Sequence, residues 1–321
     1  MIDLKDIQAA QKRIHGVATR TPLIAYPNLQ SAGCLWLKPE SLQPIGAFKL
    51  RGAYNKIASL SDEEKSRGVI AFSSGNHAQG VAYAARVLGI EATIVMPATA
   101  PQIKKVKTRA LGASVVELAD GSEEDWRVAA EELALQRGFV MVPPFEDERV
   151  IAGAGTVGLE IFEDQPQADV VFVPVGGGGL LSGTAAALKL CGAGAKIIGV
   201  EPEVANDAQR SFRRGEIVEI PLAEARRTSA DGMRATRLGD LTFAHIGEFA
   251  DDIITVSEAQ IAQAMRQTIL DARLVVEPSG AVAVAAALFH NDAYSSSGTS
   301  VAVVSGGNVD ATLLAEIILG Q

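Results

Sequence analysis

Large side chains and thiols are scarce in this chain. Two of its 321 residues are cysteine, Cys34 in AGCLWL and Cys191 in LKLCGAG, and neither belongs to a CxxC pair. Both read as buried free thiols in a reducing compartment. Aromatics make up only 5%, so Ala, Val, Ile, Leu and Gly must do most of the packing. Positive charge is also short: the formal net charge is −9. That argues against a general binder of nucleic acid or anionic membrane, and leaves room for a local basic pocket that holds a small anion. The opening MIDLKDIQAAQKR lacks the apolar core of a signal peptide. The apolar run AVAVAAALF is about half the length that a membrane span requires. The expectation is a soluble, cytoplasmic protein. No low-complexity tract, Pro/Ser linker or internal repeat appears, so any second domain must be inserted within the first.

What is present is a regular alternation. Short β-rich runs (LWLK, GVIAFSS, ATIVMP, SVVEL, DVVFVPV, KIIGVEP, DIITVS, SVAVVSGG) are followed by stretches of helical character. Helices are expected from about 48 to 60 and from about 122 to 136. Glycines supply the stops at Gly89, Gly112 and Gly138. Strands alternating with helices of this length imply α/β architecture with open parallel sheets.

In such sheets ligands sit beyond the carboxyl ends of the strands. Four stretches lie there. PVGGGGLLSG places Gly176, Gly177, Gly178 and Gly179 between a strand and a helix, where successive N–H groups and the helix N-terminus can cradle an anion. A tight turn rarely needs more than one or two glycines. No GK[ST] follows, and Leu181 or Ser182 stands where a dinucleotide fingerprint needs its third glycine, so a ligand with one phosphate fits better.

FSSGNHAQG offers Ser73, Ser74, Gly75, Asn76 and His77 as an unbroken polar turn into a helix. Its donors suit a carboxylate, and the Asn76 amide a phenolic or carbonyl oxygen. His77 in the first helical turn fits a structural hydrogen bond as well as a catalytic role. IGAFKLRGA sets Lys49 behind Phe48 at a helix start, where the dipole and burial disfavour the ammonium and favour a nucleophilic amine. By itself such a pair carries no weight. VVSGGNVD ends a strand at Ser305, whose hydroxyl suits a ring nitrogen; a glycine turn before an Asn308 or Asp310 cap explains the stretch equally well.

Taken together the four describe a single ligand with an aldehyde, a phosphate, a phenolic oxygen and a ring nitrogen. Pyridoxal phosphate has all of them. The ordered set GAFKLRGA, SSGNHAQG, GGGGLLSG and SGGNVD resembles the fold-type II pyridoxal-phosphate enzymes of the serine/threonine dehydratase family, over nearly the whole chain. That family also contains serine racemase and hydroxyaspartate dehydratases.

The resemblance implies a tryptophan-synthase-β-like fold: a large cofactor domain from residues 1–44 and 144–321, with a small mobile domain, 45–143, inserted in it. It implies that Lys49 carries the cofactor as a Schiff base and later acts as base, with Ser74 as a second catalytic residue. Phe48 and Gly232 would line the ring, Asn76 bond its hydroxyl, Gly176–Gly179 hold the phosphate, and Ser305 meet the ring nitrogen. Ser73, Ser74, Gly75, Asn76 and His77 would bind the substrate carboxylate. Glu201, the Ala205 carbonyl and Asp207 would bind Mg²⁺ or Ca²⁺, for which hard oxygen ligands are suited.

A neutral Ser305 cannot keep the pyridine protonated, which favours elimination over a long-lived carbanion. The expected reaction is loss of water from an L-threonine- or L-serine-type substrate, giving a 2-oxo acid and ammonia. Serine or aspartate racemisation and 3-hydroxyaspartate dehydration are the alternatives. The family's Ser before Phe–Lys is Ala47 here, and Ser74 resembles racemases and hydroxyaspartate dehydratases. By analogy a homodimer is expected. With the sequence ending at Gln321, feedback control through a C-terminal regulatory domain is not expected.

Overall fold

Several of the strand runs are apolar throughout rather than alternating, and Val69–Phe72, Ala92–Pro97 and Val170–Pro174 are buried at every residue. A strand covered on both faces belongs inside a parallel sheet flanked by helices. The computed structural model describes residues 1–27, 33–73, 75–100, 102–119, 123–294 and 298–320. It shows the strands β1 (Ile24–Ala25), β2 (Cys34–Pro39), β3 (Val69–Phe72), β4 (Ala92–Pro97), β5 (Ser114–Leu118), β6 (Val140–Met141), β7 (Val170–Pro174), β8 (Lys196–Pro202), β9 (Asp252–Val256) and β10 (Thr299–Val304).

They form two sheets. One has the order β1-β2-β10-β7-β8-β9 and the other β5-β4-β3-β6. Every neighbouring pair is parallel except β1 with β2. The smaller sheet is drawn wholly from chain that lies between β2 and β7, and the larger from chain on either side of it.

The expected helices form with small changes at their ends: Lys49–Ala58 and Glu123–Arg137. Gly89, Gly112 and Gly138 all take positive φ, as stops must. The scarcity of aromatics shows in how helices meet. Where the Glu148–Asp164 helix crosses Gly179–Leu190, a methyl group on Gly155 would lie 3.0 Å from the Gly183 carbonyl oxygen. Backbones thus approach directly, without large side chains between them.

The cysteine reading needs correction. Cys34 is exposed, because it is the first residue of β2 and lies at the rim of the sheet, and Cys191 is half-buried at the end of its helix. Among the described residues no helix is long and apolar enough to cross a membrane.

Candidate active site

Two of the sequence stretches are stitched together by backbone. Ala47 and Gly306 form an antiparallel bridge, Phe48 N donates to Ser305 O at 3.0 Å, and Gly307 N donates to Gly46 O at 2.9 Å. The helix then begins at Lys49, without a side-chain cap from Phe48. Lys49 is half-buried; its Nζ donates to the Pro144 carbonyl at 2.7 Å and lies 5.1 Å from the centre of the Phe48 ring.

Phe145, next to Pro144, packs on the glycine loop. Any side chain at Gly177 would collide with its ring, and a methyl group at Gly179 would lie 2.9 Å from its Cβ. Gly178 takes φ +93°, and a methyl group there would lie 2.8 Å from Thr242 Cβ. Among the described residues no acceptor within the chain takes a hydrogen bond from the N–H groups of Gly176–Gly179. These donors stand between β7 and the N-terminus of the Gly179–Leu190 helix. A group with several anionic oxygens matches them.

Asn76 begins the Asn76–Leu88 helix, and both ends of its amide are engaged. Its Nδ2 donates to Glu277 Oε1 at 2.7 Å, and its Oδ1 accepts from Asn308 Nδ2 at 2.8 Å. Asn308 is therefore not a helix cap; Asp310 is, accepting from Thr312 N at 2.8 Å. The second hydrogen of the Asn76 amide stays available to an oxygen. Ser305 Oγ donates to the Ser279 carbonyl at 3.2 Å, and Ser279 Oγ accepts from Gly232 N at 3.0 Å. Gly232 in turn abuts the glycine loop, since a methyl group on Gly176 would lie 3.0 Å from its carbonyl oxygen. Residues expected to surround one ligand are thus joined by direct contacts.

In the polar turn, Gly75 N donates to Ser73 Oγ at 3.1 Å, and a methyl group on Gly75 would face open space. Ser74 lies outside the described residues. His77 is buried, with Nε2 at 2.8 Å from the Val142 carbonyl. Burial, then the nearby Lys49 charge, push its pKa down to about 3. The imidazole is neutral near pH 7, so Nε2–H donates and Nδ1 is an unprotonated acceptor with no partner among the described residues.

Glu277 was not apparent from sequence. The only local signal is an acid directly before Pro278 in the otherwise apolar run LVVEPSGAVAV. Burial, and secondarily the charge of Asp231, push its pKa up to about 7. Asp231 also pairs with Lys104 at 2.7 Å, which ties the helix Gln102–Ala110 to the turn that holds Gly232. Nothing in the spacing of Lys104 and Asp231, 127 residues apart, announces that pair.

The proposed cation ligands are also neighbours. Glu201 and Asp207 are 1% exposed each, as is Ala205. Glu201 accepts from Ala208 N at 3.2 Å and Gln209 N at 2.7 Å. Burial raises the pKa of Asp207 to about 7, and burial together with Asp207 raises that of Glu201. Asp207 Oδ2 and Asn206 Oδ1 are buried without a hydrogen-bond partner. Two adjacent buried carboxylates with an unsatisfied oxygen fit a hard divalent cation.

With that geometry the chain belongs to the pyridoxal-phosphate dependent enzyme family, whose model matches residues 14–306. It is 47% identical over 322 residues to L-threonine ammonia-lyase of Thermotoga maritima, covering 99% of this chain and 78% of that protein. It is 42% identical over 318 residues to L-threo-3-hydroxyaspartate ammonia-lyase of Saccharomyces cerevisiae, covering 98% and 96%. Maize serine racemase superposes with a TM-score of 0.92 at 38% identity, covering 99% of this chain and 97% of that one. The fold is therefore the fold-type II architecture expected from the motifs.

Proposed function

We propose that this protein is an ammonia-lyase that removes water from a β-hydroxy amino acid of the L-threonine or L-serine type, releasing a 2-oxo acid and ammonia. The observation that carries this reading is the placing of the Lys49 amine beside Pro144–Phe145, while Phe145 packs on a glycine loop whose N–H groups meet no acceptor among the described residues. Pyridoxal phosphate, when bound, supplies the electron sink that makes the substrate Cα–H acidic. Gly176–Gly179 would hold its phosphate, Phe48 and Gly232 would line its ring, Asn76 would reach its phenolic oxygen and Ser305 its ring nitrogen.

The residues then divide the work. N–H and hydroxyl donors of the turn formed by Ser73, Ser74, Gly75, Asn76 and His77 bind the substrate carboxylate. Neutral His77 adds no charge there. The Lys49 amine takes the Cα proton, and the β-hydroxyl leaves as water once it is protonated. The enamine left behind becomes an imine, and hydrolysis gives the 2-oxo acid and ammonia, so the water lost is regained. Ser305, a hydroxyl rather than a carboxylate, suits elimination that does not depend on a long-lived carbanion.

Glu201, the Ala205 carbonyl and Asp207 would hold Mg²⁺ or Ca²⁺, whose charge offsets two buried carboxylates. The segment 45–143 would be the small domain that moves toward the rest, and the working form a cytoplasmic homodimer, both by analogy with the family. Racemisation is the second reading, favoured by Ser74 and by the serine racemase relative; 3-hydroxyaspartate dehydration is favoured by the yeast relative. The test is 2-oxo acid formation from L-serine, L-threonine and the 3-hydroxyaspartate diastereomers, with chiral analysis of the remaining amino acid. Oxo acid from threonine or serine that disappears in Lys49→Ala supports the lyase. Inverted amino acid with little oxo acid supports the racemase instead.

A further inference from the structure

Lys49 has a companion two residues along its helix. About 200° around the helix from it, Arg51 turns away from the cleft and is fully buried. All three of its guanidinium nitrogens are committed. Nε and Nη2 donate to Glu40 at 2.7 and 2.9 Å, Nη1 and Nη2 to Glu160 at 2.7 and 2.8 Å, and Nη1 also to Thr156 Oγ1 at 3.0 Å.

The cluster is closed around that hub. Lys38 Nζ donates to Glu160 Oε2 and to the Thr21 carbonyl, each at 2.6 Å. Glu40 accepts from Thr21 Oγ1 at 2.7 Å and from Gln43 Nε2 at 3.0 Å. Two cations and two carboxylates cancel, and none of the four side chains is more than 4% exposed. Glu40 is held as the anion: burial opposes this, but Arg51 and Lys38 outweigh it. A buried network of this kind adds little net stability but defines one geometry, because each broken pair leaves a charge stranded.

The elements it joins are those that frame the lysine. Glu160 belongs to Glu148–Asp164, the helix that follows Pro144 and Phe145; Lys38 lies one residue before the end of β2, and Glu40 begins the turn after it. Beside Arg51 the two helices touch almost backbone to backbone, since a methyl group on Gly153 would lie 2.7 Å from Gly52 Cα. Smooth glycine contacts permit a helix to roll about its axis. The start of the Lys49–Ala58 helix is held by the backbone bonds to Ser305 and Gly306 rather than by a side-chain cap. Farther along, Asn55 Nδ2 donates to the Arg149 carbonyl and Lys56 pairs with Asp147, each at 2.6 Å. At the lysine end of the helix, the planar guanidinium fork gripped by two carboxylates restricts that roll.

We infer that Arg51 is a positioning residue for Lys49: it fixes the roll of the helix on Glu148–Asp164, and so the direction from which the lysine amine meets the cofactor. This rests on the reading of Lys49 as the cofactor-bonding residue. A lysine at position 51 keeps the charge but lacks the planar fork that engages each carboxylate through two N–H groups, so Lys49 would approach at a changed angle with the fold retained.

The test compares the natural protein, R51K, E160Q and K49A, each incubated with pyridoxal phosphate and freed of unbound cofactor by gel filtration. The readouts are the pH midpoint of the bound cofactor's visible absorbance, kcat and KM for 2-oxo acid formation, and circular dichroism to establish folding. R51K is expected to keep the cofactor, shift that midpoint and lose about ten- to a hundredfold in kcat with KM nearly unchanged. E160Q leaves the pair with Glu40 in place and moves both readouts the same way by less; if R51K does not fold, E160Q decides. Folded variants with the natural midpoint and kcat overturn the inference. K49A separates the two claims. If it keeps covalently held cofactor, the reading of Lys49 fails and takes the Arg51 role with it. If only K49A changes, the Arg51 role alone fails.

Discussion

Asn76 Nδ2 donates to Glu277 Oε1 at 2.7 Å, which fixes the orientation of an amide that sequence alone could place but not orient. The acid is 4% exposed and its pKa is raised to about 7 by burial, then by Asp231. An acid held above its unfolded pKa of about 4.3 favours folding least when it is ionised. Both states bind the proton below about pH 4, and the folded state alone keeps it as pH rises toward 7. Stability is therefore lost across that window. Thermal melts of the apoprotein at pH 5 and pH 8 should show Glu277→Gln gaining on the natural chain at the higher pH. Parallel behaviour of the two proteins would mean that Glu277 does not titrate in this window.

Much of this site was legible in advance because its donors are backbone and glycine, and those leave marks in a sequence. GGGG, SSGN and SGGN each say that a backbone must bend or be approached, and the alternation of strands says where. Glu277 left no such mark, and the motifs that contain Asn308 and Arg51 did not reveal what those two residues hold. Their roles come from contacts such as Arg51 to Glu160, 109 residues apart, and a buried acid cannot be told from an exposed one by its letter. Cys34 shows the converse: apolar neighbours in sequence did not bury it, because the first residue of a strand lies at the edge of the layer.

The Lys49 amine is the group whose removal should matter most. Lys49→Ala is expected to lose more than a thousandfold in kcat, as loss of the residue that moves the proton would require. It should also release its cofactor on gel filtration, where the natural protein keeps its visible absorbance. Lys49→Arg keeps the charge and the reach to Pro144 but not a titratable amine, and should be equally inactive. Activity in Lys49→Arg would move the base to another residue.

Gly177 should tolerate no side chain while Phe145 is present. Gly177→Ala drives a methyl group into the Phe145 ring, and overpacking of this kind costs about 1–3 kcal/mol. The double variant Gly177→Ala/Phe145→Ala should recover part of that loss. Melting temperatures of the four proteins give the coupling; additive effects would show that the ring moves aside freely and does not brace the loop.

The Glu201–Asp207 pair makes opposite predictions with and without a cation. Without one, two buried carboxylates raise each other's cost, so Asp207→Asn should be at least as stable as the natural chain. With Mg²⁺ or Ca²⁺ at about a hundred times its dissociation constant, the natural chain should gain about 2.7 kcal/mol and the variant nothing. The order of melting temperatures would then reverse between chelator and cation. If both proteins respond alike to the cation, its ligands lie elsewhere. If neither responds, the buried carboxylates are held by protonation alone, sharing a proton as adjacent acids do.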